Sequence, residues 1–281
     1  MNACGDPAPE RVDETGSTSD DLLARVHAAA RAGAAGFAPC LLVADRQSAG
    51  RGRQGRRWHA EAGASLTLSI AWPCARDDLS GLSLAIGCAL ADALDAPGHA
   101  ARIGLKWPND LWLLDGPNRA TRSGGRKLAG ILVETAPLGP RRIAVVGIGI
   151  NIRASVESLA RASADTDTGS GSGSGSGIAS LDEIDAQATP ATTLARVAPA
   201  LFAALRTFDG AGFAPFAARF AARDLLRGRG VAGAGAGGEL EGTAAGVNDD
   251  GTLRVETAAG TIAVASGEWR LARIEPAGSP C

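Results

Sequence analysis

Residues 50–58 read GRGRQGRRW. The first six fit G-x-G-x-x-G, the turn that opens a doubly wound dinucleotide-binding sheet, and accepting or rejecting that reading decides the fold. Such a turn needs a strand before it, a helix after it and an acidic residue about 20 positions further on. The strand is present, since CLLVA at 40–44 is a short apolar run. The helix is not: RRWHAEAG soon reaches Gly63 and gives way to an alternating strand. The residue about 20 positions on is the apolar Ile70, and bulky Arg51 and Arg53 stand where the turn must pack closely. The dinucleotide reading is rejected.

The flanking segments suit an α+β architecture. Residues 17–20, STSD, precede LLARVHAAARAG, so Ser17 or Thr18 is expected to cap a helix, with Asp20 or Asp21 as the capping-box acid. Leu22, Leu23 and Val26 would face the core, and Gly33 would end the helix. Leu66, Leu68, Ile70 and Trp72 alternate with Thr67, Ser69 and Ala71, the period of a half-buried strand. Residues 80–94 carry Leu82, Ile86, Ala89 and Leu90 on one helical stripe. IGLKWPND, LWLL, KLAGILVET and RIAVVGIGINI are short Val/Ile/Leu-rich runs between turn residues and read as sheet strands. Helices are expected near 191–208 and 213–225. After the Gly-rich stretch 228–238 come short strands, ELEGTAAGV, TLRVET, TIAVA and WRLARI, with NDDG at 248–251 as a hairpin turn. The expected division is a large domain over 1–226 and a small β-barrel-like domain over 227–281. GSGSGSGSG at 169–177 reads as part of a low-complexity surface insert near 165–178.

With the dinucleotide reading gone, the loop has other uses to weigh. Arg46, Arg51, Arg53, Arg56 and Arg57 lie close together, as in a basic nucleic-acid loop or a merely solvated one. The glycines at 50, 52 and 55 favour a third reading. They expose backbone N–H groups between guanidinium groups, a combination suited to wrapping a small polyanion that solubility alone does not require.

Composition narrows the class further. The chain has 281 residues, 45% of them apolar, enough for a sizeable core. Twenty-eight Lys and Arg stand against 30 Asp and Glu, a net charge of −2, so there is no overall basic excess for a nucleic-acid domain. The five cysteines, at 4, 40, 74, 88 and 281, form no C-x-x-C pair and suit a reducing cytosol. The polar N-terminus has no signal-peptide pattern. The longest apolar stretch, Leu82 to Leu94, is too short to span a bilayer and contains Asp92. A cytoplasmic protein with no membrane or nucleic-acid partner is expected.

GRGRQGRRW, followed by KWPND (106–110), KLAGILVE (127–134) and GIGIN (147–151), resembles the biotin protein ligase family. The four motifs come in the family's order, and the small C-terminal β-domain agrees. The resemblance implies an α+β catalytic domain, a mixed β-sheet with flanking helices of the class II synthetase-like biotin/lipoate ligase type, and an SH3-like C-terminal barrel. It implies the short form, without an N-terminal DNA-binding domain. The implied reaction joins biotin to ATP, giving biotinyl-5′-AMP and pyrophosphate, and then passes the biotinyl group to a lysine of a biotin carboxyl carrier protein domain. Mg²⁺ is the implied metal.

That first step brings two anions together, and two unit charges at 4 Å repel by about 4 kcal/mol at an effective dielectric near 20. Fixed cations must offset this. Carried over residue by residue, the resemblance makes Arg51 and Arg53 contacts for carboxylate and phosphate, with Gly50 and Gly52 freeing the loop that carries them. Lys127 becomes a buried point charge at the α-phosphate. Ser17, Thr18, Ser19 and Gln47 fall in the biotin region, although the family often has Asn where this chain has Ser19. Trp58 is placed over the adenine, or is a packing anchor. Lys106 is counted among the binding residues and Asn109 contacts phosphate or metal, or else Lys106 simply ends a strand and Asn109 makes a turn. Asp110 holds Mg²⁺ or receives the acceptor lysine's proton. Gly130 admits the ligand, Asn151 lies near the ribose or caps its strand, and Glu134 is structural. The loop as a whole is read as a lid over a hydrolysable acyl-adenylate.

Two alternatives remain. A lipoate or octanoate ligase or transferase shares the fold, but octanoyl transfer needs a reactive cysteine and none falls in the motifs. A biotin-responsive repressor needs a helix-turn-helix, and only sixteen residues precede Ser17. Monomer and homodimer are both open.

Overall fold

Uninterrupted apolar runs need cover on both faces, and the long central strands of this chain receive it. The computed structural model describes residues 6–95, 101–114, 125–154, 177–235, 238–267 and 269–271. The large sheet contains β1 (Pro9–Thr15), β2 (Cys40–Gln47), β3 (Ser65–Cys74), β4 (Ile103–Lys106), β5 (Asp110–Leu114), β6 (Gly125–Leu138) and β7 (Arg141–Asn151). Their spatial order is β1-β2-β3-β7-β6-β5-β4. β1 runs parallel to β2 and the other neighbours are antiparallel, so the sheet is mixed. Val43, Leu68, Ile148 and Ile131 stand side by side across its centre.

The helices are α1 (Thr18–Arg31), α2 (Leu82–Leu94), α3 (Pro190–Ala211) and α4 (Ala217–Arg223). Leu22 and Val26 of α1 pack on one face of the sheet against Leu42, Ala71, Ile143 and Val145. The opposite face carries Leu41, Val43, Leu66 and Ile70 in one cluster with α2 and α3. Alternate residues of CLLVA therefore feed opposite cores, which is why the run is apolar throughout. The segment expected to be helical over 213–225 divides into a 3₁₀ turn, Ala214–Phe216, and α4.

The Ser17 Oγ accepts from the Asp20 N–H at 3.3 Å and caps α1. Neither acid returns to the cap as a capping box would require. Asp20 reaches Arg51 and Asp21 accepts from Thr15 Oγ1 at 2.6 Å.

The small sheet holds β8 (Gly230–Gly235), β9 (Gly238–Val247), β10 (Leu253–Thr257), β11 (Gly260–Val264) and β12 (Trp269–Leu271), in the order β11-β10-β9-β8-β12, all antiparallel. The Gly-rich stretch 228–238, expected to precede the small strands, itself contains β8. In the NDDG turn, Gly251 at φ +82° donates to Asn248 O at 2.9 Å. That turn also meets the large sheet, because Trp107 Nε1 donates to Gly251 O at 2.9 Å. Leu253, Val255 and Trp269 share a hydrophobic cluster with Leu105 and Trp107, so one core runs through both sheets.

Most of the expected Gly-Ser insert, 165–176, lies outside the described residues. Its end does not behave as free linker: the Lys127 N–H donates to Gly177 O at 3.0 Å, and Ile178 bridges Lys127. No helix among the described residues is long and apolar enough to cross a membrane.

Candidate active site

A cavity of about 970 Å³, its open mouth included, lies where the arginine loop, the N-terminus of α1, the KWPND turn and the glycines of β6 and β7 converge. Ser17, Thr18, Ser19, Gln47, Arg51, Gly52, Arg53, Trp58, Lys106, Asn109, Asp110, Lys127 and Gly130 line it. Gly50 and Asn151, also expected at the site, are not in the lining. Asn151 Nδ2 instead donates to Lys127 O at 3.3 Å, bracing the backbone of the lysine. Gly50 supports the loop from behind, where a Cβ would stand 2.5 Å from Trp58 O.

The loop is a short hairpin. Trp58 N donates to Gly50 O at 2.9 Å, and Gly52 N donates to Arg56 O at 2.7 Å. The tip, Arg53–Gly55, places Gln54 at φ 56° and Gly55 at φ 73°, the left-handed region that glycine tolerates and Gln54 enters at a cost. Two guanidinium groups leave this hairpin in different directions. Arg51 Nη2 lies 2.8 Å from Asp20 Oδ1 and 2.6 Å from Glu134 Oε2, so it ties the hairpin to α1 and β6. Arg53 Nη1 donates to the neutral Asn109 Oδ1 at 3.2 Å and crosses the cavity to the KWPND turn. Glu134 thus has a definite partner, and Arg51 is already flanked by two carboxylates.

Trp58 lies on a floor without side chains. Gly130 and Gly149 are register partners on β6 and β7. A Cβ at Gly149 would stand 2.1 Å from Trp58 Cε2, and one at Gly130 would stand 3.3 Å from Cζ3. Lys127 Nζ is 5.9 Å from the ring centroid, within cation–π range. The Trp58 and Trp269 indole N–H groups are buried beside the cavity with no hydrogen-bond partner among the described residues.

Lys127 is half-exposed at the cavity wall, not deeply buried as the sequence suggested. Its Nζ stands 2.8 Å from Asp110 Oδ1, an ion pair whose angle falls short of a hydrogen bond. Asn109 is held by its Nδ2 donating to Ile131 O at 2.9 Å, leaving Oδ1 for Arg53. Adjacent residues of one turn therefore hold two cations from separate elements. Lys106 Nζ lies 4.7 Å from the centroid of the Trp112 ring. Among the described residues Asp110 is the one carboxylate in the lining, and no group of three or more His, Cys, Asp or Glu among them could together hold a metal.

The opposite end of the cavity is polar and neutral. Gln47 Oε1 accepts from Thr18 N at 2.8 Å and from Thr18 Oγ1 at 3.1 Å. Ser69 lies behind these groups, 2.7 Å from Thr18 Oγ1 and 3.0 Å from Ser19 Oγ. Gly147 leaves room for them, since a Cβ there would stand 2.5 Å from Ser19 Oγ.

Sequence reasoning missed Ser69, Asp20, Gly147, Gly149, Trp107 and Trp269. Gly147 and Gly149 lay within a quoted motif, and their spacing of two marks a glycine face on one side of β7. Trp269 comes from the small sheet and had no local signal. Of the described cysteines, Cys40, Cys74 and Cys88, none lines the cavity. Burial pushes the Cys88 thiol up to about 12, far from a reactive thiolate.

A mixed sheet flanked by helices, with a small antiparallel sheet beside it, is the architecture of the Biotin/lipoate A/B protein ligase family, whose model matches residues 38–151. The Biotin protein ligase C terminal domain model matches residues 228–268. The chain is 32% identical over 230 residues to the biotin--[acetyl-CoA-carboxylase] ligase of Paracoccus denitrificans, covering 81% of this chain and 88% of that protein. It is 35% identical over 217 residues to the bifunctional ligase/repressor BirA of Escherichia coli, covering 76% of this chain and 60% of that protein. It is also similar to the biotin protein ligase from Aquifex aeolicus in complex with biotin and ATP, with a TM-score of 0.69, 25% identity, and coverage of 94% of this chain and 98% of that one. The chain belongs to the biotin protein ligase family. It spans 31% and 60% of the length of the Salmonella typhimurium and Escherichia coli relatives it matches.

Proposed function

We propose that this chain attaches biotin to a specific lysine of a biotin carboxyl carrier protein domain, using ATP and passing through biotinyl-5′-AMP. The observation that carries this reading is one cavity with a neutral polar end and, across from it, two cations held at a single turn: Arg53 at Asn109 and Lys127 beside Asp110.

Ser17, Thr18, Ser19 and Gln47 receive the ureido ring, because hydroxyl and amide groups match a neutral ring with both donors and acceptors. The carboxylate then points toward Arg53 and Lys127. Its oxygen attacks the α-phosphorus, the bond to the bridging oxygen breaks, and pyrophosphate leaves. Arg53 and Lys127 offset the approach of the two anions, with Lys106 and Asn109 beside the phosphates. Trp58 gives the adenylate an apolar wall, and Gly52 and Gly130 let it come close. In the second step the acceptor lysine's amine attacks the acyl carbon, the bond to AMP breaks, and Asp110 is the carboxylate in the lining that can take the amine's proton. Arg51 acts differently from Arg53: tied to Asp20 and Glu134, it holds the hairpin in place.

Of the described lining residues, Asp110 is the carboxylate that would hold a magnesium ion, and the ion would supply charge neutralisation to the triphosphate. The expected location is the cytoplasm.

The test mixes the protein with biotin, Mg-ATP and a carrier domain, and probes the carrier with streptavidin. Labelling that depends on ATP, and that lipoate does not replace, supports the reading. An unlabelled carrier overturns it.

A further inference from the structure

Ser69 lies on β3 with none of its surface exposed and does not line the cavity. It nevertheless touches two residues that do, Thr18 and Ser19. Counting protons along these contacts gives the chain a direction. The Thr18 backbone N–H donates to Gln47 Oε1, so that atom is the amide oxygen and not the nitrogen. Thr18 Oγ1 also stands 3.1 Å from the same oxygen, and two oxygens that close are favourable only with a proton between them. A threonine hydroxyl has one proton, and it belongs to this contact. The 2.7 Å contact from Ser69 to Thr18 must then carry the proton of Ser69. The 3.0 Å contact from Ser19 to Ser69 must carry the proton of Ser19. Donation runs one way, from Ser19 to Ser69 to Thr18 to the Gln47 carbonyl.

This polarity decides what the cavity presents. With its proton directed at Ser69, Ser19 Oγ offers only lone pairs. With its oxygen held by Thr18, Gln47 turns its NH₂ toward Gly50, where a Cβ would stand 2.9 Å from Nε2. Ser17 Oγ accepts the Asp20 N–H in capping α1, and its own hydroxyl proton is left to donate. Thr18 and Gln47 are already fixed by the Thr18 backbone N–H, and Ser17 by the Asp20 N–H, so it is Ser19 whose role depends on the Ser69 hydroxyl. Thr18, Ser19 and Ser69 are 2%, 5% and 0% exposed, so no bulk water substitutes for a missing link.

We propose that Ser69 is a positioning residue that takes up the Ser19 hydroxyl proton at the head of the Ser19–Ser69–Thr18–Gln47 chain, making Ser19 a dedicated acceptor for a ring N–H of the acyl substrate. The inference rests on the biotin reading of the site and adds a residue outside the cavity wall that determines its specificity. A dithiolane ring such as that of lipoate has no N–H to offer this acceptor.

The test is biotin-dependent exchange of labelled pyrophosphate into ATP, measured on the full chain with Ser69→Ala, Ser69→Thr and Ser19→Ala. Ser69→Ala should raise the KM for biotin about tenfold, the factor set by one neutral hydrogen bond, with kcat and the KM for ATP unchanged. Ser69→Thr restores the hydroxyl and should restore the KM. Ser19→Ala should raise the biotin KM similarly, and the Ser19→Ala/Ser69→Ala pair should add little, because both break one chain. Thr67→Ala removes another buried hydroxyl of β3, which donates to Ala44 O at 2.8 Å, and should lower stability without moving the biotin KM. An unchanged biotin KM in Ser69→Ala, full additivity of the pair, or an equal KM rise in Thr67→Ala overturns the proposal while leaving the biotin reading intact. Wild-type protein without biotin-dependent exchange overturns both. If Ser69→Ala does not fold, Ser69→Cys, which fills the same space with a weak donor, carries the same arm: a raised biotin KM supports the proposal and an unchanged one overturns it.

Discussion

Gly149→Ala is the sharpest probe of how the cavity is built. A Cβ at this position would stand 2.1 Å from Trp58 Cε2, 2.4 Å from Nε1 and 2.5 Å from Cζ2. Carbon atoms in contact sit about 3.5 Å apart. The indole must therefore rise by about 1.4 Å (3.5 − 2.1), since the strand is fixed by pairing with Thr67 on one side and Gly130 on the other. The displaced ring moves within the cavity it lines, where the adenylate is proposed to sit. Misplacing a reacting geometry by about 1 Å costs roughly 10²-fold in rate, or about 2.7 kcal/mol of transition-state stabilisation. The fold itself should change by less than about 1 kcal/mol, because alanine loses less chain entropy than glycine on folding and the clash falls on a partly exposed ring. Biotin-dependent pyrophosphate exchange measures the first quantity and urea unfolding the second. A folded Gly149→Ala protein with kcat/KM within about threefold of wild type would show that Trp58 does not need its glycine seat.

Other perturbations separate the remaining parts of the site. Lys127→Ala should lower adenylate formation by about 10²–10³-fold, since a positioned cation acts where charge is crowded; single-turnover formation of biotinyl-AMP measures it. Asp20→Asn with Glu134→Gln should leave stability within about 1 kcal/mol, as partly exposed ion pairs contribute little, yet increase free biotinyl-AMP in solution by loosening the hairpin. Trp107→Phe strips the donor from Gly251 O and should cost about 1–3 kcal/mol in a urea titration, with the buried carbonyl left unpaired. Gly210→Ala meets no atom within 4 Å inside α3 and should stabilise the protein by about 0.5–1 kcal/mol, seen as a raised Tm.

How much of this was legible in the sequence depended on whether the signal was local. The strands CLLVA and KLAGILVE announced themselves because burial on both faces demands unbroken apolar runs. PERVDET did not: β1 sits exposed at the sheet edge, and its place is fixed by backbone pairing with β2 and not by its side chains. The GRGRQGRRW loop showed its glycines and charges, but not which arginine was engaged, because Asp20 and Glu134 arrive from distant parts of the chain. The same diversion emptied the expected capping box, since a guanidinium binds Asp20 more strongly than a backbone N–H does. Ser69 looked like one small polar residue in an alternating strand. Its role comes from the helix N-terminus that β3 meets across the sheet, and no spacing rule along one segment reveals that contact.

The central claim is that Arg53 and Lys127 act together on the acyl-adenylate within one cavity. The measurement that reaches it most directly is a structure of the protein bound to biotinyl-5′-AMP. The account predicts the Arg53 guanidinium and the Lys127 ammonium within hydrogen-bonding distance of the anhydride, with the ureido ring between Ser19 and Gln47. An adenylate bound with the 50–58 hairpin turned away, and with Lys127 still paired only to Asp110, would contradict it.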